Sequence, residues 1–166
     1  MLENRGKVEF RIISDADREF LFDVYASSRE WEFTHTVWTA EEKEKFLRGQ
    51  FKVQDQAYQM TYLGAIRRII QLDGKDIGRL YVDRQDDHLL IIDFAILSQF
   101  RNRGIGSDIL KSLINEAYGA KVPVKLHVLR ASPALEFYER HGFKKTHVEG
   151  HHFAMEWRAD YAFREI

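Results

Sequence analysis

The sequence predicts a single α+β domain, and three observations carry that prediction. Runs of strand length, either alternating or continuously apolar, recur at both ends and in the middle of the chain. Between them stand stretches whose apolar residues return every three or four positions, the period of a helix. Glycine and aspartate turn signals separate these runs, with no repeat, low-complexity tract or internal linker. The order read along the chain is β-α-α-β-β-β-α-β-α-β-β. At 166 residues the length fits one domain over 1–166, with its core over 8–157.

Val8–Ile13 alternates apolar and polar residues and predicts a strand. Ser14, with Asp17 three residues on, starts a helix whose face is Phe20, Leu21, Val24 and Tyr25. Thr39 and Glu42 form a capping-box pattern before a second helix. Its apolar face is read as Phe46, Leu47, Phe51, Tyr58 and Tyr62. The connection Arg29–Trp38 between the helices is aromatic and charged. Two readings of Trp31, Phe33 and Trp38 stand open, one a pocket wall and the other packing on the core.

Ala65–Leu72 and Asp76–Asp83 face each other across Asp73-Gly74-Lys75, a hairpin signal. Leu89–Leu97 is apolar enough for a central strand, interrupted only by Asp93. Ile105, Ile109, Leu110, Leu113, Ile114 and Ala117 then recur at helical spacing. Val122–Leu129 reads as a further buried strand. A short helix opens at Ser132-Pro133 and stops at Gly142. Phe143–Glu149 and His151–Trp157 form a closing hairpin around Gly150.

Composition narrows the chemistry. With 25 Lys+Arg against 26 Asp+Glu, the balance argues against a nucleic-acid binder. The absence of cysteine removes disulfides, thiolate metal sites and a cysteine nucleophile together. The first residues are polar, and the most apolar run is too short to span a bilayer. A cytoplasmic protein with no membrane partner is the expectation. His147, His151 and His152 straddle the last turn without a fixed fourth ligand, so no metal is expected.

The informative segment is Gln99-Phe100-Arg101-Asn102-Arg103-Gly104-Ile105-Gly106-Ser107, between the most apolar strand and a helix start. Backbone N–H groups and the positive end of a helix dipole converge there, and the glycines leave room for close approach. A pyrophosphate is the natural guest. No Gly-Lys-Ser/Thr ending or third glycine is present, which excludes the P-loop and the dinucleotide fingerprint. A tight turn using glycine for geometry alone is the alternative reading.

Arg101-x-x-Gly104-x-Gly106 resembles the acetyl-CoA motif of the GCN5-related N-acetyltransferase (GNAT) superfamily. Downstream, Ser132-Pro133-Ala134-Leu135-Glu136-Phe137-Tyr138-Glu139-Arg140-His141-Gly142-Phe143 is similar to that family's Asn-x-Ala-x-x-x-Tyr-x-x-x-Gly-Phe segment. Ser132 replaces the usual Asn and keeps a hydroxyl able to cap the helix. The resemblance covers roughly Val8 to Trp157. It implies the GNAT fold, a mixed, mostly antiparallel sheet of about seven strands with helices on both faces.

It also implies roles. Backbone groups of Ile96 and Leu97 would meet the pantetheine arm and polarise the thioester carbonyl. Arg101, Asn102, Arg103, Gly104, Ile105, Gly106 and Ser107 would hold the pyrophosphate, with Ser132 and Tyr138 also against the co-substrate. Tyr138 would be the general acid, its alternative being an ordinary core tyrosine. For the proton of the incoming amine the first candidate is Asp93, equally readable as a structural carboxylate. Glu30, Trp31, Glu32, Trp38, Tyr62 and His127 are candidates for the acceptor side, where aromatics and carboxylates suit a cationic amine.

The expected activity is acetyl transfer from acetyl-CoA to a primary amine of a small molecule or peptide. With no cysteine, direct attack in a ternary complex is expected. The alternative is a non-catalytic acyl-CoA sensor or interaction domain of the same fold. A homodimer is compatible with the family.

Overall fold

A computed structural model describes residues 6–162. Its strands are β1 (Val8–Ile12), β2 (Ile66–Leu72), β3 (Lys75–Arg84), β4 (Leu89–Ile96), β5 (Val124–Leu129), β6 (Lys144–Glu149) and β7 (His152–Trp157). They form one sheet in the order β1-β2-β3-β4-β5-β7-β6. The β4–β5 pair is parallel, whereas β1–β2, β5–β7 and β6–β7 are antiparallel. The helices are α1 (Arg18–Arg29), α2 (Ala40–Thr61), α3 (Ile105–Ala120), α4 (Ala134–Arg140) and a short α5 (Ala159–Ala162). This is the expected order, with α5 added after the closing hairpin. No helix among the described residues is long and apolar enough to cross a membrane.

The chain divides into two compact units. Among the described residues, one holds 6–81 together with Phe94–Arg101, the other Val82–Asp93 together with 102–162.

In the first unit, Leu21, Phe22 and Tyr25 of α1, Phe33 of the α1–α2 connection, Leu47 and Phe51 of α2, and Ile69 of β2 make one apolar cluster. Phe51 meets Phe22 and Tyr25 at ring-centroid distances of 5.8 and 5.7 Å. Burying each such side chain contributes roughly 1.5–3 kcal/mol. The face expected for α2 is corrected at Phe46, which is 40% exposed and packs edge-on against Trp38 at 5.1 Å. Tyr58 and Tyr62 are half-buried. The entry to α1 is closed by charge: the Arg11 guanidinium donates twice to Asp17, at 2.9 and 2.8 Å, and also reaches Asp76 at 2.6 Å. Asp17 in turn accepts the Ser14 N–H at 2.8 Å. These bonds to Arg11, and then to Ser14, hold the Asp17 carboxyl at a pKa of about 2 despite its burial.

The β2–β3 hairpin turns at Asp73 and Gly74 with φ of 50° and 81°, the two left-handed residues of a type I′ turn. In the second unit, α3 and α4 both pack on β5. Val124, Leu126 and Val128 of β5 are buried, as are Ile109, Leu110, Leu113 and Ala117 of α3. Strand β6 carries an irregularity between Lys145 and His147, where the Thr146 hydroxyl donates to the Ala154 carbonyl at 3.3 Å.

Candidate active site

The end of β4 is held from two sides within the first unit. Leu97 donates its N–H to the Ile77 carbonyl at 2.8 Å. Close approach of the two strands requires Gly78, because a Cβ there would stand 2.4 Å from the Ala95 carbonyl oxygen. The Ile96 carbonyl accepts Arg101 Nε at 2.8 Å. Arg101 Nη2 reaches the carbonyl and hydroxyl oxygens of Ser27, at 3.2 and 3.3 Å. Ser27 Oγ also accepts the Ser98 N–H at 3.1 Å.

Two expectations change as a result. The Leu97 N–H is already directed at β3, so by strand alternation the Ile96 N–H is the one on the opposite edge of β4. Arg101 clasps α1 to the end of β4 through Nε and Nη2, a role beyond the phosphate contact that the resemblance implies.

In the second unit the loop enters α3 through two left-handed residues, Asn102 at φ 60° and Gly104 at φ 81°. Residues alternating in this way turn successive N–H groups toward one concavity, an anion cradle. Gly104 stands at the N-cap position and offers no side-chain acceptor to the N–H groups that open the helix. Those groups belong to Ile105, Gly106 and Ser107. The Ile105 side chain is buried in the core, so only its backbone faces this concavity. Asn102 and Arg103 are exposed.

Helix α4 is started by Ser132, whose Oγ accepts the Ala134 N–H at 3.1 Å. The hydroxyl therefore does the capping work that the sequence assigned to it. Gly142, at φ 87°, ends the turn after α4, and its N–H donates to the Glu139 carbonyl at 3.1 Å. Tyr138 is 7% exposed, with Phe137 and Phe143 rings at 5.3 and 5.6 Å. Burial, and secondarily the negative charge of Asp93, push its phenol well above the ordinary tyrosine range. The hydroxyl thus remains a proton donor throughout the physiological range. Asp93 is half-buried in β4, less enclosed than its apolar strand suggests.

The acceptor-side candidates engage different partners. Trp31 is half-buried and donates its indole N–H to the Ser28 carbonyl at 3.1 Å. Glu32 is paired with Arg29 at 2.8 Å, while Glu30 is exposed. Phe33 belongs to the core, which resolves its two readings in favour of packing. Trp38, 43% exposed, joins Phe46 in lining an open groove of about 890 Å³ with Val37, Lys45, Gln50 and Val53. Tyr62 stacks at an angle on Tyr58, 6.2 Å away. His127 and His147 flank Ala154 from either side. Both reach Glu149, at 3.0 and 2.5 Å. His127 alternates with buried Leu126 and Val128, so it lies on the other face of β5. No group of three or more His, Cys, Asp or Glu side chains among the described residues is placed to hold a metal ion.

Sequence reasoning missed Ser27, Gly78 and His141. Ser27 sits mid-helix with nothing in its spacing to mark it, and Gly78 looks like any strand glycine. His141 carries a faint signal, as the residue just before the glycine that ends the turn after α4.

A family model described as an acetyltransferase (GNAT) domain matches residues 64–145. An uncharacterised N-acetyltransferase of Bacillus subtilis (strain 168), CgeE, is 32% identical over 80 residues, covering 46% of this chain. The match spans 31% of that relative's own length. Among solved structures, the PaiA N-acetyltransferase of Thermoplasma acidophilum in complex with coenzyme A aligns at TM-score 0.67 and 20% identity. The alignment covers 92% of this chain and 99% of that one. A GCN5-related N-acetyltransferase from Rhodopseudomonas palustris aligns at 0.64 and 15%, over 92% and 96% of the two chains. At these identities the structural likeness is one of fold. The fold is that of the GCN5-related N-acetyltransferases over nearly all of the described chain, and the acetyltransferase (GNAT) domain match falls on the segment holding β2 to α4.

Proposed function

We propose that the chain is an acetyl-CoA-dependent N-acetyltransferase acting on a primary amine by direct attack in a ternary complex, through a single domain over residues 1–166 with its core over 8–157. The observation that carries this reading is the start of α3, entered through the left-handed residues Asn102 and Gly104, where the N-cap glycine has no side chain with which to cap the helix. The N–H groups of Arg103–Ser107 suit a pyrophosphate in charge and in spacing. Acetyl-CoA supplies the activated acetyl thioester. The Ile96 N–H, on the edge of β4 away from β3, is the donor for the thioester carbonyl, where it stabilises the charge that develops on oxygen.

The new C–N bond forms at the acetyl carbon as its C–S bond breaks. The ammonium first loses one proton to bulk water, which frees the nitrogen lone pair; Tyr138 then gives its hydroxyl proton to the departing sulfur, and Asp93 takes the second proton from the attacking nitrogen, directly or through one water. The protonated carboxyl then returns that proton to the phenolate, the stronger base of the two, which resets the site. The acceptor is a cationic amine, received by aromatic and carboxylate groups of the segment 29–38 and by Tyr62.

The test is titration calorimetry with CoA, together with release of free thiol from acetyl-CoA across a panel of amines. Binding and turnover support the enzyme. CoA binding without transfer to any amine would make the chain an acyl-CoA sensor, and absence of binding would end both readings.

A further inference from the structure

His141 stands immediately after α4 and reaches two elements with its two ring nitrogens. Nδ1 lies 2.7 Å from the Phe137 carbonyl, and Nε2 lies 3.0 Å from Ser107 Oγ in the first turn of α3. A carbonyl oxygen only accepts, so Nδ1 carries the proton. In the neutral ring Nε2 is then bare and accepts from the Ser107 hydroxyl. The ring packs on Phe137 at a centroid distance of 4.6 Å. The His141 N–H donates to the Tyr138 carbonyl at 3.0 Å, and the Phe143 N–H reaches the same oxygen at 3.1 Å. One side chain therefore joins the last turn of α4 to the helix start read above as the pyrophosphate cradle.

From this geometry we infer that His141 is a positioning residue, fastening α4 to Ser107 so that Tyr138 is held in register with a co-substrate bound at α3. The inference rests on the reading of residues 103–107 as the CoA site. The tie fixes the last turn of α4 against the first turn of α3, and small misplacements of an acid are expensive in rate. The acid itself would be intact but out of place.

Two substitutions separate the contacts. In His141→Asn the amide N–H can still serve the Phe137 carbonyl but is too short for Ser107. In His141→Gln the longer side chain can present its carbonyl to the Ser107 hydroxyl. The expected results are a fall in kcat of about tenfold for H141N and recovery to within about threefold for H141Q. In a Tyr138→Phe background, H141N should change kcat by less than about twofold, because the residue it positions is already gone. Thermal unfolding of each variant separates misfolding from misplacement, and ring nitrogen shifts of His141 in the wild-type chain should report the Nδ1–H tautomer.

A wild-type kcat in H141N would overturn the proposal, as would an equal loss in both backgrounds or an Nε2–H tautomer. If calorimetry shows no CoA binding by the wild-type chain, the underlying reading fails and the positioning role with it. Normal CoA binding alongside a silent H141N would sink the positioning role alone.

Discussion

Two helix starts in this chain are built in opposite ways. Helix α2 is closed by its own side chains: Thr39 Oγ1 accepts the Glu42 N–H at 3.1 Å, and Glu42 returns a bond to the Thr39 N–H at 2.9 Å. Helix α3 opens on a left-handed glycine with no side chain to offer. A capped helix end stabilises the fold by about 1 kcal/mol, whereas a bare one leaves donors and the positive dipole end for another molecule. The difference marks which of the two ends serves structure and which is suited to an anion.

The sharpest way to break this contrast is to cap the bare end. Gly104→Asp places a carboxylate where the sequence has none, at a φ that Asp tolerates better than most residues. CoA affinity should fall at least about a hundredfold, since the carboxylate both satisfies the helix donors and repels phosphate. Thermal stability should hold or rise, as measured by calorimetric unfolding. Loss of binding together with loss of folding would remove the contrast.

Next in size is Tyr138→Phe, which leaves the cradle alone and removes only the proton. Turnover should drop at least about tenfold with the KM for acetyl-CoA little changed, by steady-state thiol release. An unchanged rate would take Tyr138 out of the mechanism.

At the closed entry to α1, Asp17→Asn should lower stability by about 1–2 kcal/mol at neutral pH, read from the urea midpoint. The carboxyl is held at about 2 by Arg11. Its stabilisation is therefore complete above the ordinary value near 3.9 and is lost as the pH falls through about 2. The acid limb of the stability profile should flatten in the variant. Smallest is Thr39→Ala, at about 1 kcal/mol, with CoA affinity unchanged. A change in CoA affinity there would mean that the two helix starts are not independent.

Much of the local grammar was legible. The capping pair Thr39/Glu42, the Asp73-Gly74 turn, the Ser132 cap and the Gly142 stop are decisions made within a few residues, so the letters carry them. The glycine loop belongs to the same class, because left-handed backbone at Gly104 is a local requirement. Long-range contacts were not legible. Nothing near Arg101 in sequence marks its reach back over 74 residues to Ser27. Phe46 keeps helical spacing with the core residues yet turns to Trp38. Glu30, Trp31 and Glu32 are close in sequence but engage different partners or solvent.

By itself the sequence determined the α+β order, the turn and cap chemistry and the two motifs, since each depends on backbone preference or periodicity over short windows. Only tertiary structure decided which backbone N–H at the end of β4 is directed away from β3, what Arg101 holds, and that His141 meets Ser107 34 residues away in sequence. Hydrogen bonds saturate: once a distant residue takes a donor or acceptor, that group is closed to a ligand, and no local pattern records the loss.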